Sequence, residues 1–136
     1  MKKVKVIIDT NLWISFLITH KLNSLDKLFS ADKLQLLFSE ELLEEFLDVA
    51  NRPKFKKYFT KDDITHIIKF LNENAELIKV TSDVKICRDE NDNFLLNLAL
   101  DSKADYLITG DKDLLILGSI KETIILTFQD FLKTIT

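Results

Sequence analysis

The chain has 136 residues, of which 46% are hydrophobic and 30% are charged, a balance that fits a globular protein and excludes a disordered one. The net charge of −3 excludes a general attraction of the whole chain to nucleic acid, so any such binding depends on local patches or bound metal. No apolar run approaches the length of a membrane span, and the single cysteine, which cannot form an internal disulfide, fits a cytoplasmic location.

Short apolar runs and segments with helical periodicity alternate through the first half of the chain. The β-branched run Val4–Ile8 predicts a strand buried on both faces, and Leu34–Phe38 predicts a second strand. Apolar residues at helical spacing and capping residues predict helices over residues 11–20, over residues 24–29 with Ser24 as the cap, and over residues 39–50, where Pro53 ends the segment.

The alternation continues in the second half. Thr60 and Asp63 predict a capping box at the start of a helix over residues 61–74. Further strands are predicted over residues 76–80, 105–109 and 123–127, and further helices over residues 92–102, 113–117 and 128–134. This order favours an α/β fold whose parallel sheet is covered by helices on both faces. Because the chain has only one proline and two glycines, we expect residues 1–136 to form a single domain.

Acidic residues recur at one edge of this predicted sheet, where the strands end. They come from four distant parts of the chain: Asp9, the pair Glu44 and Glu45, Asp92, and Asp111. Each one alone is ordinarily a helix cap, a solvated helix face or a turn. Ligands of parallel α/β sheets bind at the carboxyl ends of the strands, and carboxylates gathered there repel one another unless a divalent cation neutralises them. The pattern therefore predicts a Mg²⁺-type site.

Four segments also resemble the PIN-domain family, in the order that the family has them. They are Asp9-Thr10-Asn11, the helix over residues 39–45 followed by residues 52–55, the stretch over residues 89–95, and the stretch over residues 104–115. The likeness is greatest to the toxins of prokaryotic toxin–antitoxin systems. It implies a three-layer α/β/α domain with a parallel sheet of about five strands, and an endoribonuclease that depends on Mg²⁺ or Mn²⁺.

The resemblance assigns four residues to catalysis and metal binding. The first, third and fourth acids of the family match Asp9, Asp92 and Asp111. The second acid is Glu45 or Glu44, and Glu45 is favoured because it precedes the apolar Phe46 as the family pattern requires. Adjacent residues of a helix point about 100° apart, so only one of these two can face the site well.

Four further residues are expected to assist those acids. Asp113 resembles an auxiliary acid, and Asn11 is expected to cap or brace the loop that holds Asp9. Thr10 and Thr109 can offer hydroxyl groups to a metal-bound water. These roles, like those of the four acids, come from the resemblance.

The densest basic stretch follows the helix over residues 39–50. Arg52, Lys54, Lys56 and Lys57 can pair with RNA phosphates, and Tyr58 can stack on an unpaired base. The competing interpretation is an ordinary solvated turn whose aromatic residues pack inward, and the sequence leaves both open.

The resemblance implies an RNA substrate, an antitoxin protein that covers the site, and a homodimer in the cytoplasm. Two other functions stay open. An aspartate-based phosphatase or phosphotransferase would use Asp9 as the nucleophile, although Asn11 stands where dehalogenase-like phosphatases need a second aspartate. A non-catalytic RNA-binding scaffold would not need to keep a set of mutually repelling acids.

Overall fold

The sheet has six strands in the order β3-β2-β1-β4-β6-β5. The computed structural model describes residues 3–20, 27, 34–87 and 89–135. The strands are β1 (Val4–Ile8), β2 (Leu34–Phe38), β3 (Ala75–Leu77), β4 (Tyr106–Ile108), β5 (Ser119–Ile120) and β6 (Thr123–Leu126). All pairings are parallel except that of β5 with β6. The predicted α/β fold is confirmed, and the sheet has six strands with one antiparallel pairing where a parallel sheet of about five was expected.

Helices flank the sheet. They are α1 (Thr10–Thr19), α2 (Glu40–Ala50), α3 (Lys61–Asn74), α4 (Asn93–Ser102), α5 (Lys112–Leu115) and α6 (Phe128–Ile135), with short 3-10 turns at Pro53–Phe55 and Glu90–Asp92. None of the helices in the described ranges combines the length and the apolarity that crossing a bilayer requires. The helix predicted over residues 24–29 lies, apart from Lys27, outside the described residues.

Both faces of the sheet are covered, as the apolar strands predict. The consecutive residues Val6, Ile7 and Ile8 are at most 1% exposed, and consecutive strand residues point to opposite faces. On one side Trp13 of α1 packs edge-on against Phe16 and donates from Nε1 to the carbonyl of Ile8 at 3.0 Å. This bond holds α1 against the end of β1, directly beside Asp9.

The helix starts follow their capping residues. Ser39 accepts from the N–H of Leu42 at 3.1 Å and begins α2. Thr60 and Asp63 form the predicted capping box, in which the Thr60 N–H donates to Asp63 at 2.8 Å. These bonds satisfy N–H groups that the first turn of a helix leaves without partners. The boundaries of α2 and α3 are therefore set by side chains that the sequence shows.

One strand prediction was wrong in its bounds, and one strand was missed. The strand predicted over residues 76–80 is observed at Ala75–Leu77. The N–H of Ile78 still donates to the carbonyl of Phe38 in β2, but the chain then leaves the sheet, and the N–H groups of Thr81 and Ser82 donate to the side chain of Asp101. The two-residue strand Ser119–Ile120 was not predicted. It pairs with β6 in a tight hairpin, and a run of two residues shows no periodicity from which a strand can be predicted.

Candidate active site

Two neighbouring strands end side by side at one edge of the sheet, and the residues that follow them meet there. The backbone N–H of Asp9, after β1, donates to the carbonyl of Ile108 in β4 at 3.0 Å. The hydroxyl of Thr109, after β4, donates to Oδ2 of Asp9 at 2.6 Å, and both residues are buried. Asp9 and Thr109 thus lie at the carboxyl ends of parallel strands, the edge where such folds bind ligands.

Asp9 is held from both sides and is almost fully buried. Its Oδ1 atom accepts from the N–H of Asn11 at 3.3 Å, which caps α1, and the residue is 5% exposed. Burial raises the pKa of the Asp9 carboxyl, the hydrogen bond from Thr109 offsets part of this rise, and the charge of Asp111 adds to it. An acid in this environment gains more from a nearby cation than a solvated one does.

Glu45 is near enough to Asp9 for their charges to interact. Helices α1 and α2 pack together, and on α2 Glu45 is half-buried, whereas its neighbour Glu44 is exposed. Burial and then the charge of Asp9 raise the pKa of Glu45, while nearby Arg52 lowers it. The catalytic role of Glu45 stays a prediction, but the geometry agrees with the register that Phe46 sets, since Phe46 is fully buried in the core.

Asp92 and Asp111 come together from two different loops. Burial and then the adjacent Asp111 carboxyl raise the pKa of Asp92 to about 8. Asp111 precedes α5, and its Oδ1 atom accepts from the N–H of Asp113 at 2.8 Å. With both carboxyls ionised, the buried Oδ2 atom of Asp92 accepts no hydrogen bond from any described residue. Two carboxyls this close share a proton at neutral pH unless a cation neutralises them.

The hydroxyl of Thr10 is buried beside the acids and has no full hydrogen bond within the described parts of the chain. It lies near Glu45 and lowers the pKa of that carboxyl, although the geometry between the two groups does not meet the criteria of a hydrogen bond. Thr10 itself is 1% exposed. A buried hydroxyl without a partner costs free energy, so a bound water or ligand oxygen would stabilise it.

The other assisting residues lie near the acids and contact them in different ways. Asn11 braces Asp9 through its backbone N–H, while the residue itself is exposed. Thr109 accepts from the N–H of Asp111 at 3.0 Å while it donates to Asp9, so one hydroxyl links two of the acids. Asp113 is half-buried and contributes its N–H to Asp111. Their catalytic roles stay predictions.

The charges of successive acids interact in the order Glu45, Asp9, Asp111 and Asp92, and we call this set the acid row. Among residues 3–20, 27, 34–87 and 89–135, no three acidic, histidine or cysteine side chains are grouped closely enough to hold one metal ion. Mg²⁺, however, commonly takes one or two carboxylates and fills its other positions with water and substrate phosphate. The row therefore fits a metal that pairs of acids hold, together with the unpartnered oxygens of Asp92 and Thr10.

The basic turn, residues 52–58, starts next to the second acid. Arg52 pairs with Asp48 at 3.5 Å and is close enough to Glu45 to lower its pKa. Lys54 lies over the ring of Phe55 and Lys57 over the ring of Tyr58, each with Nζ 5.1 Å from the ring centre. Lys56 is exposed.

The aromatic residues of this stretch divide into two groups. Phe55 and Phe59 stack with their ring centres 5.7 Å apart, and Phe59 is buried, as the packing interpretation expects. Tyr58 is 43% exposed, with Lys57 over its ring. Contact of the basic turn with RNA stays a prediction.

A ladder of polar side chains on α4 was not predicted from the sequence. Asn93, Asn97 and Asp101, four residues apart on one face of the helix, accept hydrogen bonds from the backbone of the preceding segment. The spacing of these polar residues was the available signal, but it does not by itself reveal what they bind.

The fold and the row of acids define the class of protein: an α/β domain with buried and half-buried carboxylates at the carboxyl ends of its parallel strands. The family model described as the PIN domain matches residues 5–113, which include all four acids. The chain is also 37% identical, over 83% of its length and 74% of the relative's, to an uncharacterized protein of Methanocaldococcus jannaschii. The chain belongs to the PIN-domain family, whose members are typically nucleases and generally use divalent metals.

Proposed function

We propose that the protein is a metal-dependent endoribonuclease that hydrolyses RNA phosphodiester bonds. One observation carries the proposal: four acids from distant segments are gathered in one row at the sheet edge, where burial and mutual repulsion raise the pKa of Asp9, Glu45 and Asp92. Such an arrangement costs stability in the protein alone and becomes favourable when a cation is bound. Membership of a family of nucleases supports the reaction class.

The row supplies the groups that such a reaction needs. Asp9, Glu45, Asp92 and Asp111 would hold Mg²⁺ or Mn²⁺, and a bound metal lowers the pKa of its water and offsets charge on the phosphodiester. Thr109 keeps Asp9 in place through its 2.6 Å hydrogen bond. The unpartnered hydroxyl of Thr10 can orient a water or a phosphate oxygen. Lys54, Lys56 and Lys57, next to Arg52, would bind the RNA backbone on the Glu45 side of the row.

The test is incubation with a mixed RNA pool and with Mg²⁺, Mn²⁺ or EDTA, followed by mapping of the cut ends. Cleavage that needs either metal and stops in EDTA supports the proposal. Asp9→Asn should reduce cleavage by at least about 10²-fold, because asparagine keeps the capping oxygen but removes the charge. The matched control is Asp83→Asn, which changes an exposed aspartate away from the row and should cleave normally. Full cleavage by a folded Asp9→Asn protein would contradict the proposal.

We further propose that the ribonuclease is the toxin of a toxin–antitoxin pair, because the four motif segments resemble those toxins most. It would then act in the cytoplasm on host RNA, and a partner protein would cover the acid row. Expression in a bacterial host should arrest growth, and Asp9→Asn should relieve the arrest. Normal growth with active, soluble enzyme present in the cells would contradict the toxin role.

A homodimer is proposed on the same resemblance and on the high apolar fraction of a small chain. The edge strand β3 gives this some support, since Leu77 is 68% exposed there. Light scattering at tens of micromolar protein should give twice the chain mass of 15.8 kDa. A monomer mass at that concentration would count against the dimer.

Of the two other functions, phosphotransfer through Asp9 is disfavoured by its surroundings. Both carboxyl oxygens of Asp9 are hydrogen-bonded, one to Thr109 and one to the N–H of Asn11, and burial disfavours the ionised nucleophile. The open row of acids is the observation that favours a non-catalytic RNA-binding scaffold. RNA binding that is unaffected by metal, without any cut ends, would select that function.

A further inference from the structure

Helix α4 binds the segment before it through a regular ladder of side chains. Oδ1 of Asn93 accepts from the N–H of Cys87 at 2.9 Å, and Oδ1 of Asn97 accepts from the N–H of Val84 at 2.7 Å. Asp101 accepts from the N–H of Ser82 at 2.8 Å. Each step of four residues along the helix meets a residue further back in the chain, so the segment runs antiparallel to α4.

The hydrogen bond that Asn93 accepts from Cys87 differs from the other two because it closes the loop that carries Asp92. Cys87 and Asn93 stand on either side of the Asp89–Asp92 turn, and the bond between them joins the two ends of this turn. Within the loop, the N–H of Asp92 donates to the carbonyl of Asp89 at 3.0 Å. Asn93 is 8% exposed, so its hydrogen bond is protected from competition by water.

Cys87, which donates to Asn93, also contacts the loop of the fourth acid, Asp111. The thiol of Cys87 donates to the carbonyl of Asp113 at 3.8 Å, and the N–H of Asp113 donates to Asp111. One continuous series of hydrogen bonds therefore runs from Asn93 through Cys87 and Asp113 to Asp111. It connects the two loops whose acids, Asp92 and Asp111, lie together.

We propose that Asn93 is a positioning residue of the acid row: its hydrogen bond to Cys87 fixes the Asp92 turn against the Asp111 loop. The claim that Asn93 serves a metal site rests on the proposed function. The claim that Asn93 fixes the Asp92 turn does not. Residues that hold metal ligands in place without touching the metal typically lower metal affinity by about 10- to 100-fold when they are lost. Asn93 carries no negative charge and would not itself touch the metal or the RNA.

The ladder provides a matched control for this role. Asn97 is the same residue type on the same helix, is 7% exposed, and accepts one backbone N–H just as Asn93 does. Asn93→Ala and Asn97→Ala should therefore lose similar stability, because each leaves one N–H without its partner. Only Asn93→Ala releases the turn that carries Asp92. A purely structural role predicts the same behaviour in both variants.

Cys87, the only cysteine of the chain, reports on the turn without any need for activity. It is 6% exposed, and burial followed by the nearby charges of Asp92, Asp111 and Asp113 raises the pKa of its thiol, so the closed loop should react slowly with an uncharged maleimide. Asn93→Ala should be labelled about tenfold faster than the parent, the factor that one lost buried hydrogen bond gives to a local opening. Asn97→Ala should stay within about twofold of the parent.

The second measurement is Mn²⁺ binding by calorimetry. Asn93→Ala should bind about tenfold more weakly than the parent, and Asn97→Ala should bind equally well. If Asn93→Ala does not fold, Asn93→Ser replaces it, because serine is accepted at a helix start and its shorter side chain weakens the same contact.

Equal labelling of the Asn93 and Asn97 variants, or faster labelling of Asn93→Ala with unchanged Mn²⁺ affinity, would overturn the role of Asn93. Failure of the parent to bind Mn²⁺ would instead contradict the proposed function. It would also contradict the claim that Asn93 serves a metal site. The labelling rates then still decide whether Asn93 holds the turn.

Discussion

Helix α4 has an aspartate at each end, and the two carboxylates lie in opposite environments. Asp101, in the last turn, accepts from the hydroxyl of Ser82 and from the N–H groups of Thr81 and Ser82, and these bonds lower the pKa of its carboxyl. Asp92, just before the first turn, has a buried oxygen that no described residue satisfies, and its pKa is raised to about 8. The two residues have the same side chain and differ in their burial and in their hydrogen-bond partners.

This difference separates a structural acid from a candidate functional one. A carboxylate that accepts several hydrogen bonds stabilises the fold by itself and requires nothing further. A carboxylate that lies beside another acid without donors makes the fold less stable until a cation arrives. A cavity of about 770 Å³ lies away from these acids, at the amino ends of the strands, and the exposed residues Lys5, Lys103 and Asp105 line it.

The largest expected effect comes from exchanging each aspartate for asparagine. Asp92→Asn should lower metal-dependent RNA cleavage by about 10²- to 10³-fold, the scale of losing one preorganised electrostatic group. Asp101→Asn should cleave at the parent's rate, because its carboxyl lies at the far end of the helix. Cleavage assays under single-turnover conditions measure both. Equal losses in the two variants would remove the distinction between the two ends.

Glu44 and Glu45, adjacent residues of α2, provide a second comparison between an exposed acid and one of the acid row. Glu45→Gln should lower cleavage by about 10²-fold, because the charge of Glu45 interacts with that of Asp9. Glu44→Gln changes an exposed side chain and should have little effect. The same cleavage assay decides between them. If the Glu44 variant is the inactive one, the register of the second acid is wrong.

The pH dependence of stability should also follow the raised pKa of Asp92. Between its ordinary value of 3.8 and about 8, the folded protein keeps a proton that the unfolded chain has released. The free energy of unfolding, measured with urea in EDTA, should therefore fall as the pH rises from about 4 to about 8. Asp9 and Glu45, whose pKa values are also raised, act in the same direction.

Two controls accompany this titration. Asp92→Asn should flatten the decline and raise the stability of the metal-free protein at pH 8, since it removes the repelled carboxyl. Saturating Mg²⁺ should flatten the decline as well, because the metal binds the folded, ionised form. A free energy of unfolding that increases over this range in EDTA would show that the acids do not repel one another.

Asp101 should behave in the opposite way. Asp101→Ala should cost roughly 1–2 kcal/mol of stability at pH 7, the scale of lost hydrogen bonds to a partly solvated charge. Because its folded pKa is lowered, this contribution is present above the unfolded pKa of about 3.8 and disappears as the pH falls through the lower folded value. Urea unfolding of the variant and its parent at pH 7 and pH 3 measures it. An equal difference at both pH values would contradict a charge-based contribution.

The smallest expected effect concerns the basic turn. Joint replacement of Lys54, Lys56 and Lys57 by alanine should weaken RNA binding without changing Mn²⁺ affinity. Each lost phosphate contact should also lower the slope of log affinity against log salt by about 0.7 for a single strand. Filter binding at several salt concentrations provides the slope. An unchanged slope would leave this stretch as a solvated turn whose lysines cover Phe55 and Tyr58.

The parts of this picture that the sequence predicted are those with local causes. The β-branched run predicted β1 with its observed bounds, and Ser39 and Thr60 predicted the starts of α2 and α3, because caps and periodicity act within a few residues. The convergence of the acids was predictable too, since parallel strands bring their carboxyl ends to one edge.

What the sequence did not predict depends on contacts between distant residues. The backbone of residues 81–87 bonds to side chains of α4 and not to a strand, and no local pattern in this segment shows that placement. Likewise, no local pattern shows that Asp92 lies beside Asp111 while Asp101 finds donors. Both outcomes follow from how the loop folds back on the helix.

Calorimetric titration of Mn²⁺ into the parent, Asp92→Asn and Asp101→Asn, at pH 7.5 and equal protein concentration, tests the central claim most directly. The account predicts that the parent and Asp101→Asn bind the metal with the same affinity, and that Asp92→Asn binds it at least about tenfold more weakly. Equal affinity in all three proteins, or no binding by the parent, would contradict the claim that the unsatisfied acids form the metal site.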